Sequence, residues 1–148
     1  MEARVEWLLE DARRHDRDRA VAAMLCPEKR RPAVLAVIAF NTEIARVRER
    51  VGEPTLGYVR LRWWADALAR AGAADDAEAA PLLRALAGQR VWPEIRPHLA
   101  ALVEARARDI EEPPFADPAA AEDYVAAVTA PLADALALRS GKQIARFV

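Results

Sequence analysis

The chain has 148 residues, a formal net charge of -1 at pH 7, and 53% hydrophobic residues. This length is typical of one domain, and so apolar a composition argues against intrinsic disorder. A nearly neutral chain gives no reason to expect nucleic-acid binding, and a single cysteine excludes an internal disulfide and a cysteine-based metal site. We expect one helical domain over residues 1–148. We expect it to be cytoplasmic, because the charged N-terminus has no apolar segment of signal-peptide type.

Strong helix formers at helical spacing predict an all-α fold with almost no strand. The first predicted helix is amphipathic, and the later ones span about 16–25, 32–51, 56–71, 82–87, 94–110 and 118–139. The helix from about residue 32 is the most apolar, so we expect it to be central and mostly buried. Thr55 and Asp117 are expected to cap the helices that follow them.

Two tryptophans, Trp63 and Trp64, stand side by side in the helix predicted over 56–71. Adjacent helical residues point about 100° apart, because an α-helix has 3.6 residues per turn. We therefore expect one indole to enter the core and the other to cover a groove or meet a partner.

The acidic residues predict no convincing magnesium site. Carboxylates that share a magnesium ion on a helix must lie three or four residues apart on one face. Glu49 and Glu53 have this spacing, but Gly52 and Pro54 break the helix between them. We therefore expect no resident cofactor.

Arginines gather near the end of the central helix. Arg46 and Arg50 are four residues apart and share a helical face, and Arg60 follows on the next helix. Like charges that lie close together need carboxylates or a bound anion between them. Two interpretations stay open: a structural salt-bridge network with Glu43 and Glu49, in which Glu43 has i,i+3 spacing to Arg46, or a site for a phosphate or an acidic partner.

Four stretches, in this order, resemble the squalene/phytoene synthase family: residues 16–19, 25–34, 36–49 and 56–64. The second contains the pattern L-x-P-E-x-x-R-x-A-V, and the fourth contains G-x-x-R-L-x-W-W. The resemblance extends over nearly the whole chain but corresponds only to the first part of the family's fold. It implies a partial prenyl-synthase-type bundle of helices around a central cavity.

The family's enzymes join two prenyl diphosphates through magnesium ions held by two acidic motifs, and arginines help to bind the diphosphate. On this sequence, Arg31 matches an arginine that precedes the first acidic helix. Ala45 and Arg46 stand where the leading aspartates would be, and Glu49 stands at the last acidic position. An arginine here opposes magnesium by about 4 kcal/mol per charge pair at 4 Å and an effective dielectric constant of 20. The sequence is in this respect similar to the branch that contains mitochondrial complex I assembly factors and their bacterial relatives.

The resemblance leaves three alternatives. The first is a catalytically degenerate protein that binds a prenyl diphosphate, a lipid or a protein partner, with peripheral association at the inner membrane as one expectation. The second is a magnesium-dependent prenyltransferase of squalene, carotenoid or other isoprenoid biosynthesis that lacks its C-terminal half. The third is a truncated product whose uncovered helix faces require a homodimer or a partner. In each case the candidate anion-binding residues are Arg31, Arg46, Arg50 and Arg60.

Overall fold

The structure, a computed structural model, describes residues 3–72, 80–111 and 115–137. In these ranges every regular element is helical, which confirms the all-α prediction. The helices are α1 (Ala3–His15), α2 (Arg17–Met24), α3 (Arg31–Ala45), α4 (Val47–Arg50), α5 (Pro54–Arg70), α6 (Pro81–Ala87), α7 (Trp92–Ala105), a 3-10 segment (Arg106–Ile110) and α8 (Pro118–Ala137). The predicted loop over 72–80 and the predicted end of the last helix lie mostly outside the described residues.

The helix α3 forms the centre of the fold, as its composition predicts. All of its residues from Leu35 to Thr42 are buried, and it packs against α1, α2, α6, α7 and α8. Phe40 is fully buried and meets Trp64 of α5 edge to face, with ring centroids 5.4 Å apart. Fully burying one large apolar side chain contributes about 1.5–3 kcal/mol, so this helix supplies much of the stability of the core.

The central helix ends earlier than the sequence predicts. The prediction of one helix to residue 51 is wrong, because α3 ends at Ala45 and Arg46 adopts φ -88° and ψ 1° before α4 begins. One turn earlier, the hydroxyl of Thr42 donates a 3.1 Å hydrogen bond to the carbonyl of Ile38, a contact that bends helices. The backbone N–H of Arg46 still donates to Thr42, and that of Arg50 to Arg46. Helical hydrogen bonding therefore spans the break.

The helix α5 begins at Pro54, after Glu53 in extended conformation. Thr55 therefore lies inside the first turn, and its predicted role as the cap is wrong. A proline suits this position because it has no N–H to leave unsatisfied. One apolar stripe of α5, which includes Leu61 and Trp64, is buried, and the helix packs toward α7 and the 3-10 segment.

The last two predicted helices are confirmed with one change. The helix predicted over 94–110 divides into α7 and the 3-10 segment. Asp117 caps α8 as predicted, because its carboxylate accepts a 2.8 Å hydrogen bond from the N–H of Ala120. Across the described ranges, no helix combines the length and the apolar character that crossing a membrane requires.

Candidate functional site

The junction of α3 and α4 carries two ion pairs, Glu43 with Arg50 and Arg46 with Glu49. We call these four residues the junction face. The guanidinium of Arg50 donates a 2.7 Å hydrogen bond to Glu43. The Nε atom of Arg46 lies 3.8 Å from a carboxylate oxygen of Glu49. The Arg50 and Glu43 side chains are 33% and 32% exposed, so solvent can still reach this pair.

The pairing differs from the one that the spacing predicts. Glu43 was expected to pair with Arg46, three residues on, but it binds Arg50 instead. Seven residues are about two helical turns, and helical hydrogen bonds span the break at Arg46, so Arg50 lies on the same side as Glu43. The outcome is that each carboxylate of the junction face lies beside a guanidinium group.

Asn41 is a buried polar residue that the sequence analysis passed over. It is 7% exposed, and its side-chain carbonyl oxygen has no hydrogen-bond partner within the described residues. It precedes Ala45 by four residues and therefore shares its side of α3. A buried acceptor without a partner costs about 1–3 kcal/mol, so such groups often mark sites of function. In the sequence, the sign of this buried polar group is that Asn41 directly follows the apolar run over residues 33–40.

Arg31 lies at the other end of α3 and ties that helix to α2. Its guanidinium donates to the carbonyl oxygens of Met24 and Cys26 at 3.2 and 3.3 Å. These carbonyls lie at the C-terminal end of α2, where a cation offsets the negative end of the helix dipole. Fifteen residues separate Arg31 from Arg46, which corresponds to about 22 Å along the helix. The structure therefore does not bring Arg31 to the junction face.

Arg60 stands on α5 and is exposed. Within the described residues it makes no hydrogen bond or ion pair, unlike its neighbour Arg62, which lies 3.1 Å from Asp66. Of the four candidate arginines, Arg46 and Arg50 are the two that form ion pairs with Glu49 and Glu43 within the described residues.

A second polar cluster links the 3-10 segment to α8. The guanidinium of Arg106 donates to the carboxylate of Asp109 at 3.2 Å and to the hydroxyl of Tyr124 at 2.9 Å. The hydroxyl of Tyr124 donates to the other carboxylate oxygen of Asp109. Burial, with the hydrogen bond to Asp109 second, raises the pKa of Tyr124 to about 12. Sequence analysis missed this cluster, because Tyr124 lies on a different helix and no local spacing connects it to Arg106.

A small cavity lies between the start of α3, the α6–α7 connection and α8. Its volume is about 80 Å³, its rim carries Lys29, Arg30 and Arg90, and its walls include Val37 and Ile95. Sites for drug-sized ligands usually measure about 300–1,000 Å³. This cavity therefore has room for a small group and not for a long prenyl chain.

Metal-ligating side chains do not gather in the parts of the chain that the structure describes. No three His, Cys, Asp or Glu residues in those ranges lie close enough together to hold one ion.

The chain is similar to three mammalian proteins described as NADH dehydrogenase (ubiquinone) complex I, assembly factor 6. The human protein is 36% identical over 58 residues, which are 39% of this chain and 17% of that protein. The bovine protein is 33% identical with the same coverage, and the mouse protein is 32% identical over 62 residues, 42% of this chain and 19% of the relative. The alignments thus cover less than a fifth of each relative.

No solved structure matches the chain significantly. The family model for squalene/phytoene synthase matches residues 12–141, which include every helix from α2 to α8. The resemblance seen in the sequence motifs is confirmed. The chain belongs to the squalene/phytoene synthase family.

Proposed function

We propose that this family member is catalytically degenerate and acts in the assembly of a multi-subunit complex by binding an acidic protein partner at the junction face. The observation that carries the proposal is the pair of arginines, Arg46 and Arg50, which hold the carboxylates of Glu49 and Glu43. The relatives described as complex I assembly factors support the assembly part of the proposal.

The residues of the junction face do not fit magnesium. Magnesium prefers oxygen ligands in octahedral geometry and usually takes one or two protein carboxylates together with phosphate oxygens. Here Glu43 and Glu49 each lie beside a guanidinium group, so a cation would have to displace Arg50 or Arg46. Two positive charges 4 Å apart repel by about 4 kcal/mol at an effective dielectric constant of 20.

The same arrangement suits an anionic partner. An arginine fork binds a carboxylate or a phosphate through two parallel hydrogen bonds. Because the Arg50–Glu43 pair is about one-third exposed, a partner's carboxylate can exchange with Glu43 without first opening the core. The unpaired carbonyl of the Asn41 side chain, on the adjacent buried side of α3, could accept one further hydrogen bond. A prenyl diphosphate or an anionic lipid that is held without being transformed would use the same arginines.

The test deletes the gene in its own organism and measures two products separately. Assembled NADH dehydrogenase is quantified on native gels, and squalene and carotenoids are quantified by mass spectrometry. The gene is then restored as wild type, as Arg46→Glu/Arg50→Glu, or as the control Arg13→Glu/Arg17→Glu, which reverses two exposed charges on α1 and α2.

We expect the deletion to lower the amount of assembled complex while isoprenoid levels stay unchanged. Wild type and the control should restore assembly, and the junction-face variant should not. If the deletion abolished an isoprenoid product and left the complex intact, the prenyltransferase alternative would replace this proposal.

A further inference from the structure

The small cavity between the start of α3, the α6–α7 connection and α8 is apolar inside and cationic at its rim. Its walls include Val37, Ile95 and Ala135, which are buried. Its rim includes Lys29 and Arg90, which are exposed. An apolar interior offers water no hydrogen-bond partners, whereas a cationic rim attracts an anion. The cavity therefore fits a molecule that has one apolar end and one anionic end.

The residues that line the cavity do not neutralise its positive charge. Among the described residues, the lining contains the cations Lys29, Arg30 and Arg90 and no carboxylate. Within the same ranges, Lys29 and Arg90 form no ion pair. The side-chain amide of Gln89, also in the lining, donates one N–H to the carbonyl oxygen of Ala85 at 2.8 Å, which leaves its second N–H for a ligand. The rim thus presents hydrogen-bond donors and uncompensated positive charge.

Two helices begin at this cavity and add to its positive potential. The helix α3 begins at Arg31 and α7 begins at Trp92, and no side chain of the described residues caps either first turn. The first N–H groups of a helix have no acceptor within it, so this end carries a partial positive charge. These two helix ends strengthen an attraction for anions that the rim cations already produce.

We propose that this cavity binds a small aliphatic anion, with its head group at the rim cations and its apolar end between α3, α7 and α8. The volume of about 80 Å³ is about half that of an apolar cavity of about 150 Å³ that accepts benzene, so it holds about three carbon atoms. The head group is a carboxylate or a phosphate monoester, because the guanidinium of Arg90 can bind either through two parallel hydrogen bonds. The cavity lies at the opposite end of α3 from the junction face, so this inference goes beyond the proposed assembly function.

Binding of isovalerate and of isoamyl phosphate to the purified chain, followed by ligand-observed NMR titration, tests the proposal. The two probes share a branched apolar end, so their comparison separates the two head groups. Acetate keeps the carboxylate without the branched end, and isoamyl alcohol keeps the branched end without the charge. These two compounds therefore show whether both ends contribute to binding.

Two pairs of variants locate the site. Arg90→Gln removes a rim cation, and its control Arg96→Gln removes an exposed arginine of α7 that does not line the cavity. Ala33→Leu places a larger side chain in the cavity, and its control is Ala120→Leu. The two alanines are both half-buried, and each is the third residue of its helix, α3 or α8. Thermal unfolding followed by circular dichroism checks that each variant folds.

We expect at least one of the two anions to bind with a dissociation constant of about 1 mM, as is typical of so few atoms. The anion that binds more tightly identifies the head group. Acetate and isoamyl alcohol should bind at least about tenfold more weakly, because each lacks one of the two interactions.

Arg90→Gln should weaken binding of that anion about tenfold, because a hydrogen bond to a charged group is lost. Ala33→Leu should weaken it by about tenfold as well, since the added side chain takes the place of the ligand's apolar end. Both controls should change the affinity less than about twofold, since their sites lie off the cavity. Absence of binding by both anions, equal binding of isoamyl alcohol, or equal effects of the two members of a variant pair would each overturn the proposal.

Discussion

The guanidinium of Arg50 donates a 2.7 Å hydrogen bond to Glu43, seven residues earlier and across the break at Arg46. This bond links α4 to the body of α3. Because of it, the carboxylate of Glu43 is paired with a guanidinium group. The nearby contact between Arg46 and Glu49 is longer, at 3.8 Å, and is an ion pair without good hydrogen-bond geometry. The Arg50–Glu43 pair is therefore the stronger element of the junction face.

We expect Arg50→Ala to lower the free energy of unfolding by about 0.5–1 kcal/mol, since solvent screens a pair that is one-third exposed. A double-mutant cycle that combines Arg50→Ala with Glu43→Gln, measured by urea denaturation, gives the interaction free energy between the two side chains. The matched control is the Arg14–Glu10 pair on α1, whose side chains are 69% and 73% exposed. Its coupling should be near zero, and equal couplings in the two cycles would contradict the structural difference between them.

Tyr124→Phe should destabilise the packing of α8 on the 3-10 segment. The hydroxyl bridges Arg106 and Asp109, and loss of hydrogen bonds to charged groups costs about 1.5–3 kcal/mol. Tyr58→Phe is the control, because that side chain is 44% exposed and has no hydrogen bond within the described residues. Thermal unfolding of both variants measures the difference, and equal melting temperatures would show that the Tyr124 hydroxyl contributes nothing.

The same tyrosine predicts a loss of stability in strong alkali. Burial and the hydrogen bond to Asp109 raise the pKa of Tyr124 from 10.0 to about 12 in the folded chain. The folded state therefore holds this proton more tightly than the unfolded state does, so its contribution to stability is full below pH 10.0 and falls as the pH rises toward about 12. Absorbance titration of the Tyr58→Phe variant isolates Tyr124. A midpoint at pH 10.0 would contradict the buried hydrogen-bonded geometry.

The close approach of α5 to the 3-10 segment depends on Gly57. A Cβ atom there would lie 2.7 Å from the Cδ1 atom and 3.2 Å from the Cγ1 atom of Ile110, which is itself buried. Overpacking costs about 1–3 kcal/mol, which exceeds the gain of up to about 1 kcal/mol that alanine brings to a helix. We therefore expect Gly57→Ala to lower the free energy of unfolding by about 1 kcal/mol.

Gly52→Ala is the matched control for that substitution. Nothing lies within 4 Å of a Cβ atom built at Gly52, and its φ angle is not positive. The substitution should therefore stabilise the folded chain by about 0.4–1 kcal/mol, because alanine lowers the conformational entropy of the unfolded state. Equilibrium denaturation of the two variants should give changes of opposite sign, and changes of the same sign would contradict the close contact at Ile110.

Much of the fold follows from local pattern. The apolar run in α3 predicted a buried central helix, and the adjacent tryptophans divide as expected, with Trp64 7% and Trp63 46% exposed. Asp117 and Pro118 placed the start of α8, because a cap and a proline act within one turn. The family resemblance came from the order of four short stretches, and the match over residues 12–141 confirms it.

The remaining features depend on contacts that local spacing does not contain. The break at Arg46 arises inside a run of residues that suit a helix, so propensity could not place it. Arg46 and Arg50 both lie on the side of Glu43, and spacing alone could not decide which of them it binds. The bond between Tyr124 and Asp109 joins residues 15 apart on different elements. Separation along α3 also explains why Arg31, which matched a family position, does not meet Arg46.

Calorimetric titration of magnesium tests most directly the claim that arginines occupy this face in place of metal ligands. The wild-type chain should show no saturable heat. The variant Ala45→Asp/Arg46→Asp, which adds two carboxylates and removes one cation, should gain measurable binding because hard oxygen donors then converge on one helical turn. Saturable binding to the wild-type chain that Glu49→Gln abolishes would contradict the account and restore the magnesium-dependent enzyme as the leading hypothesis.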